Sequence, residues 1–200
     1  MFKKANFIGF LKTMPEFNAN LSKHQQIIQS ILEKESKNPN VIAICIFGSV
    51  ADGTENPKSD IDIDIVYNKG TKWKLCKQKI DGIKVDCANI SKQFIQDRVD
   101  KYPYLSWSVW KLKVIYDKDQ FMEKIKSELD KYFEQNPEVK EFWEKDYALM
   151  KKQKSLGVKP KGFVEVCDEA ETRFSKYHSI KRTILTKEFY KKNIIDNSKS

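Results

Sequence analysis

Long apolar stretches and recognisable export signals are absent from this sequence. Its longest unbroken apolar run, Val41–Phe47, covers seven residues, whereas a helix that spans a membrane needs about 20. The first four residues, Met-Phe-Lys-Lys, resemble the start of a signal peptide, but polar residues interrupt the sequence after them. A signal peptide requires a continuous apolar region. We therefore expect a cytoplasmic protein with no membrane partner.

Paired cysteines and clustered histidines are missing as well. The four cysteines have no CxxC spacing, and the two histidines, His24 and His178, lie far apart. These spacings argue against a zinc site or a disulfide framework. Glycine and proline are scarce, at 7 and 6 residues, while 40% of the residues are hydrophobic. This composition is typical of a folded globular protein and not of a disordered chain.

Basic residues are distributed unevenly along the chain. The formal net charge is +9, and the segment from Lys151 onward contributes +7 of it, from 13 basic and 6 acidic residues. A positive surface attracts nucleic acid, nucleotide phosphates or an acidic membrane surface. The alternative is a lysine-rich helix face that contacts only water. RNA is therefore one partner that the basic C-terminal region could bind.

Hydrophobic periodicity predicts an α/β (α+β) core over residues 1–135, followed by a basic helical C-terminal extension over 136–200. A linker is expected at Leu156–Gly162, where glycine, proline and lysine are frequent. The sequence Asp81-Gly82 is typical of a hairpin turn. The predicted strands are Val41–Phe47, Asp60–Val66, Ile83–Asn89 and Val114–Tyr116. The predicted helices are Asn18–Glu35 with Asn20 or Ser22 as its cap, Ser91–Lys101, Asp119–Phe133, Pro137–Lys154 and one or two short helices within Phe163–Ser200.

The strand that begins at Asp60 carries acidic side chains on one face. Isoleucines alternate with Asp60, Asp62 and Asp64 along this strand, and alternate side chains share a face about 7 Å apart. Aspartate is unfavourable in strands, and like charges on one face repel each other. Either water dilutes this repulsion or a cation neutralises it. For an isolated Asp-x-Asp pattern, the solvated strand face is the simpler interpretation.

Two further features favour a cation and a phosphate ligand. Gly48 and Ser49 directly follow the long apolar strand, where glycine lets the backbone approach a ligand and serine with the following N–H groups can bind phosphate. Asp86 lies on a later strand and points away from its apolar neighbours. It adds a third carboxylate to Asp60 and Asp62 if its strand lies beside theirs. Such oxygen ligands suit Mg²⁺, and two ions would stabilise the attacking and leaving oxygens of an in-line displacement.

These residues resemble the signature of a known family. Gly48-Ser49, ten residues and then Asp60-Ile-Asp62 are similar to the GS-x10-DxD pattern of the polymerase-β-like nucleotidyltransferase superfamily, and small bacterial antibiotic nucleotidyltransferases in particular. The resemblance implies a mixed sheet flanked by helices. It also implies that Gly48 and Ser49 contact the triphosphate, that Asp60 and Asp62 bind metal, and that Asp86 is the third carboxylate. Asp64 departs from the usual hydrophobic residue, so a register that uses Asp62 and Asp64 stays open.

The resemblance implies transfer of a nucleoside monophosphate, in the first instance AMP from ATP, to a hydroxyl group of an acceptor. Asp60, Asp62 and Asp86 are the predicted catalytic residues, and Asp86 is either a metal ligand or a general base. An aminoglycoside or lincosamide antibiotic is the first acceptor hypothesis. The alternatives are transfer to RNA or to a protein, as in toxin–antitoxin systems, and a catalytically inactive nucleotide-binding regulator. A homodimer also stays open.

Two other groups of side chains have both a functional and a structural interpretation. An acidic cluster could bind a cationic acceptor or could be a solvated helix face. Five aromatic residues could stack on a base or drug ring, but their helical spacing favours core packing. The acidic cluster is Glu165, Asp168, Glu169 and Glu171, and the aromatic residues are Trp107, Trp110, Phe142, Trp143 and Tyr147.

Overall fold

A computed structural model describes residues 22–175 and 186–197 of the chain. The helices are α1 (Lys23–Glu35), α2 (Gly48–Asp52), α3 (Lys92–Lys101), α4 (Trp107–Lys111), α5 (Phe121–Gln135), α6 (Pro137–Ser155), α7 (Phe163–Phe174) and α8 (Lys187–Asn193), with a 3-10 turn at Pro103–Leu105. The strands are β1 (Val41–Phe47), β2 (Ile61–Tyr67), β3 (Lys74–Ile80), β4 (Ile83–Ser91), β5 (Lys113–Asp117) and β6 (Ile194–Asp196).

The strands of the described residues form one mixed sheet in the order β5-β1-β2-β4-β3-β6. Strands β2 and β4 are parallel, as are β3 and β6, and the other neighbouring pairs are antiparallel. The connection from β2 to β4 passes through β3, which forms a hairpin with β4 at the outer side. This topology confirms the predicted fold class, a mixed sheet flanked by helices.

Helix α1 packs its apolar side against one face of the sheet. Ile27, Ile28 and Leu32 of this helix form one buried cluster with the isoleucines of β2 and with apolar residues of β1 and β4. Ser22 begins the helix with a capping box, since its Oγ accepts from the Gln25 N–H at 3.3 Å and its own N–H donates to the Gln25 side chain. Of the two predicted caps, Ser22 is therefore confirmed, while Asn20 lies outside the described residues.

The hairpin between β3 and β4 turns at Asp81-Gly82, as the sequence predicts. Both residues have positive φ angles, 49° for Asp81 and 84° for Gly82. A two-residue turn of this kind matches the right-handed twist of its strands. The turn therefore fixes the register in which Lys77 faces Asp86 and Lys79 faces Lys84 across the hairpin.

Packing groups the described residues into two units. The first consists of residues 22–94, 112–124 and 194–197, and contains the sheet. The second consists of residues 95–111, 125–175 and 186–193. Each unit is thus discontinuous along the chain. The division into a core domain over 1–135 and an extension over 136–200 stays a prediction.

The C-terminal segment departs from its purely helical prediction. Residues Ile194–Asp196 form β6, which pairs in parallel with β3 at the edge of the sheet, with Leu75 opposite Ile194. The backbone N–H of Asn197 extends this pairing with a 2.7 Å hydrogen bond to the Lys77 carbonyl. Three residues are too few to show alternation, and the partner strand is distant in sequence. Tertiary pairing, rather than local pattern, therefore determines this strand.

The second unit has an aromatic core of its own. Trp107 and Trp143 are 3% and 2% exposed, and the Trp143 indole N–H donates to the Tyr104 carbonyl at 2.7 Å. The ring of Trp107 lies 5.0 Å from that of Trp110 in an edge-to-face arrangement, which is a favourable geometry for aromatic pairs. The core-packing interpretation of these two tryptophans is confirmed. Across residues 22–175 and 186–197, no helix is long and apolar enough to cross a membrane.

Candidate active site

Strand β2 carries the predicted acidic face. Its isoleucines are buried, whereas Asp62 and Asp64 are partly exposed between them. In the parallel pairing of β2 with β4, Asp62 lies directly opposite Asp86. In the antiparallel pairing with β1, Asp62 lies opposite Phe47, the residue before Gly48. Three segments that are separate in sequence therefore meet at Asp62.

Gly48 lies against the Asp62 carboxylate. Its φ angle is +74°, which L side chains rarely adopt, and a Cβ atom placed on it would lie 2.9 Å from Asp62 Oδ2. Both observations require glycine here. Gly48 also begins α2, and the N–H of Thr54 closes this turn with a 2.9 Å hydrogen bond to the Ser49 carbonyl. The structure thus brings Gly48 to the Asp62 carboxylate, while the contacts of Gly48 and Ser49 with a triphosphate stay a prediction.

The register of the sheet shows which residues lie opposite the aspartates of β2. Asp64 lies opposite Ala88 in β4 and Cys45 in β1, so no acidic residue lies directly opposite it in either adjacent strand. Asp62 instead lies opposite Asp86 and contacts the position of Gly48. Asp60 is joined to Asp86 through Lys84, and the choice of Asp60 and Asp62 over Asp62 and Asp64 stays a prediction.

Lys84 is a member of the site that the sequence analysis missed. Its Nζ lies 3.1 Å from Asp60 Oδ2 and 3.2 Å from Asp86 Oδ2, so it bridges the two carboxylates. Lys77 Nζ lies 4.0 Å from the same Asp86 oxygen. Burial acts to lower the pKa of Lys84, but its hydrogen bonds to Asp60 and Asp86 outweigh this effect, and its pKa is raised. The signal was present in the sequence, because Lys84 stands two residues before Asp86 in an alternating strand.

Asp86 is more enclosed than Asp60. Its side chain is 14% exposed, against 52% for Asp60. Its Oδ2 accepts from Lys84, whereas its Oδ1 is buried and has no hydrogen-bond partner among the described residues. A buried carboxylate oxygen without a partner is costly. Such an atom is one that a bound cation or a donor from a ligand would satisfy.

His24 holds the loop that leads to Asp60, a role that the sequence analysis did not foresee. The side chain is 4% exposed, and its Nε2 lies 2.8 Å from the carbonyl oxygen of Ser59. Because a carbonyl oxygen only accepts, this nitrogen must donate. The Ser59 Oγ accepts from the Asn56 N–H at 2.9 Å, which closes the turn from inside. The position of Asp60 is therefore fixed from α1 and from its own loop.

The carboxylates of the site are suitable ligands for a divalent cation, but their side chains do not converge on one point. Carboxylate oxygens are the ligands that Mg²⁺ prefers, and Asp86 Oδ1 lacks a partner. Within residues 22–175 and 186–197, however, no three His, Cys, Asp or Glu side chains converge to form a metal-binding group. The ammonium of Lys84 occupies the space between Asp60 and Asp86. The metal ligands Asp60, Asp62 and Asp86 thus stay a prediction.

The acidic cluster of α7 lies in the second unit. Asp168 and Glu169 line an open groove of about 620 Å³ together with Phe142, Thr172 and Arg173. Lys161 forms an ion pair with Glu169. The cations Arg173 and Lys161 therefore offset much of the negative charge in this groove, which weakens the hypothesis of an acidic pocket for a polycation.

Part of the chain is similar to known proteins. Residues 26–121 match the sequence model of the family described as Polymerase beta, Nucleotidyltransferase. No curated protein sequence matches the chain. Among solved structures, a nucleotidyltransferase-like protein from Exiguobacterium sibiricum 255-15 aligns at 13% identity with a TM-score of 0.42. The alignment covers 52% of this chain and 38% of the Exiguobacterium protein, so the match spans well under half the length of that protein.

Proposed function

We propose, from the match of residues 26–121 to the nucleotidyltransferase family model, that the chain is a polymerase-β-like nucleotidyltransferase and transfers a nucleoside monophosphate from an NTP to a hydroxyl group. The observation that carries the proposal is the meeting of Gly48, Asp62 and Asp86. Gly48 directly follows β1, Asp62 lies in β2 and Asp86 lies in β4. The pairing of these strands in the sheet brings the three residues together. ATP is the nucleotide to test first.

Each residue has a defined part in the proposed reaction. Asp60, Asp62 and Asp86 would hold divalent cations, with Mg²⁺ as the first candidate and two ions as the expected number. When bound, such ions neutralise phosphate charge and stabilise the attacking and leaving oxygens. Ser49 and the backbone at Gly48 would contact the triphosphate. Asp86 would either complete the cation site or accept the proton of the attacking hydroxyl.

The test is a pair of isosteric variants on one strand. Asp62→Asn removes a charge beside Gly48 and opposite Asp86, and we expect it to abolish pyrophosphate release while the thermal unfolding curve stays that of a folded protein. Asp64→Asn makes the same chemical change two residues along the same face, and should keep most of the activity. Retained turnover in the Asp62 variant would refute the assignment. Loss of activity in both variants would support the alternative register of Asp62 and Asp64.

For the acceptor, we keep a hydroxyl group of a small molecule, with aminoglycoside and lincosamide antibiotics as the first class to assay. RNA is the second candidate, because one observation favours it: Lys77, Lys79 and Lys84 share a sheet face with Asp86 through the hairpin register. Positive side chains beside the carboxylates attract a polyanion and repel a polycation. A panel of NTPs with pooled aminoglycosides, lincosamides and tRNA, followed by pyrophosphate release, separates these classes.

Two further measurements complete the choice. RNA held by lysines should bind with an affinity that falls steeply as salt rises, and a salt-insensitive or absent interaction would remove the RNA candidate. A catalytically inactive regulator would bind NTP without releasing pyrophosphate. Turnover with any acceptor in the panel therefore excludes the regulator.

A further inference from the structure

Lys84 occupies the position at which the carboxylates of the site approach one another. Its Nζ donates to Asp60 Oδ2 at 3.1 Å and to Asp86 Oδ2 at 3.2 Å, and so joins the loop before β2 to strand β4. The contact is not an accident of a long surface side chain. Lys84 and Asp86 are alternate residues of one strand, so the lysine necessarily points to the face on which Asp62 and Asp86 meet.

The charges of this face explain why a cation is needed there. Asp62 and Asp86 lie directly opposite each other on parallel strands, a pairing that repulsion disfavours. Asp86 is mostly enclosed, at 14% exposure, so water screens its charge only partly. The Lys84 ammonium offsets part of the Asp86 charge through its contact with Asp86 Oδ2 when no metal is bound. Lys77 Nζ is more distant, at 4.0 Å from Asp86 Oδ2.

We infer that Lys84 is an internal counter-ion of the site, which holds Asp60 and Asp86 together and which a divalent cation displaces. The inference rests on the proposed function, because it takes these carboxylates as the cation ligands. Binding of a divalent cation is then an exchange, in which two charge-assisted hydrogen bonds of Lys84 break. The cost of this exchange weakens cation binding to the nucleotide-free protein. A released Lys84 ammonium keeps its positive charge beside the site.

The test measures cation binding directly and needs no acceptor. Mn²⁺ is titrated into the full chain without nucleotide, and free Mn²⁺ is read from its electron paramagnetic resonance signal. Lys84→Gln removes the bridging ammonium, and we expect Mn²⁺ to bind about tenfold more tightly, which corresponds to about 1.4 kcal/mol. Lys84→Arg keeps a cation on the same strand and should bind within about threefold of the wild type.

Lys79 provides the matched control. It is exposed and lies directly opposite Lys84 on the hairpin, so Lys79→Gln changes the net charge equally and within the same region. If Lys84 acts by bridging, Lys79→Gln leaves the Mn²⁺ affinity within about twofold of the wild type. Equal tightening in the two glutamine variants would show a general charge effect and overturn the inference. Unchanged or weaker binding in Lys84→Gln alone would overturn it as well.

A measurement on the wild type removes dependence on any variant. The ¹⁵Nζ resonance of Lys84 is followed by NMR as Mg²⁺ is added, with Lys79 as the internal reference. The inference requires a shift of the Lys84 signal that saturates with cation binding, and an unchanged signal contradicts it. If the wild type binds neither Mn²⁺ nor Mg²⁺ even with a non-hydrolysable ATP analogue, the proposed function itself fails. That outcome differs from one in which the wild type binds cations and Lys84 does not respond.

Discussion

Replacing Gly48 by alanine tests the contact at the centre of the site. Two penalties follow from the structure. The first is the φ angle of +74°, a left-handed conformation that costs an L residue about 1–2 kcal/mol. The second is the close approach of the new Cβ to Asp62 Oδ2, at 2.9 Å, where ordinary contacts begin at 3.4 Å. The Asp62 carboxylate therefore has to move by the difference, about 0.5 Å.

The two penalties affect different measurements. The backbone strain lowers stability, and for a chain of 200 residues each kcal/mol corresponds to about 2–4 °C in Tm. The displaced carboxylate lowers the rate of transfer. Since a misplacement of about 1 Å can cost about 100-fold in rate, a shift of half that size should cost about tenfold. We expect Gly48→Ala to lower both Tm and the rate of pyrophosphate release.

Gly70 separates the two effects. Its φ angle is also +74°, but no atom lies within 4 Å of a Cβ placed there. Gly70→Ala should therefore show a similar loss of Tm by thermal unfolding, with a rate of pyrophosphate release close to that of the wild type. The reasoning is refuted if Gly48→Ala transfers as fast as Gly70→Ala, because the contact with Asp62 would then have no part in the reaction.

Two further predictions concern the support of the site and the sheet around it. His24→Ala removes the donor that reaches the Ser59 carbonyl at 2.8 Å, and should lower the unfolding free energy by about 1–3 kcal/mol and slow transfer. Lys23→Ala, at the exposed neighbouring residue, should change neither. A His24→Ala variant with unchanged stability and rate would show that other contacts hold the loop. Burial, together with the nearby Glu35, raises the pKa of Tyr67 from 10.0 to about 12. The folded state thus holds this proton more tightly than the unfolded state, so stability falls as pH rises from about 10 to about 12. Tyr67→Phe should have a shallower loss of Tm across that window, and an identical slope in both proteins would contradict the assignment.

The sequence predicted those elements that depend on local pattern. Strand β1 has the predicted bounds, because seven apolar residues stand between a turn and Gly48. The helix predicted over Ser91–Lys101 forms from Lys92 to Lys101, and the Phe94 N–H donates to the Ser91 hydroxyl at 3.1 Å. The aspartate strand began one residue later than predicted, at Ile61, so Asp60 lies in the loop before it. This small difference follows from the hydrogen bonds that His24 and Asn56 make to Ser59 in the loop, which the alternation of residues does not show.

The missed features depend on contacts between distant residues. Alternation placed Lys84 on the face of Asp86, but only the hairpin and the parallel β2–β4 pairing bring it to Asp60. His24 reaches a carbonyl 35 residues away, and a lone histidine carries no pattern that identifies its partner. Strand β6 was missed because its hydrogen bonds are made to β3. In each case the information lies in the pairing of segments and not in either segment alone.

The most direct test of the account follows the phosphates of ATP. The protein is incubated with Mg²⁺ and the acceptor panel in two parallel reactions, one with ATP labelled at the α-phosphate and one with ATP labelled at the γ-phosphate. The account predicts that the α label becomes attached to an acceptor, that the γ label leaves as pyrophosphate, and that Asp62→Asn does neither. Attachment of the γ label to the acceptor, or its release as inorganic phosphate with no α label transferred, would contradict the account.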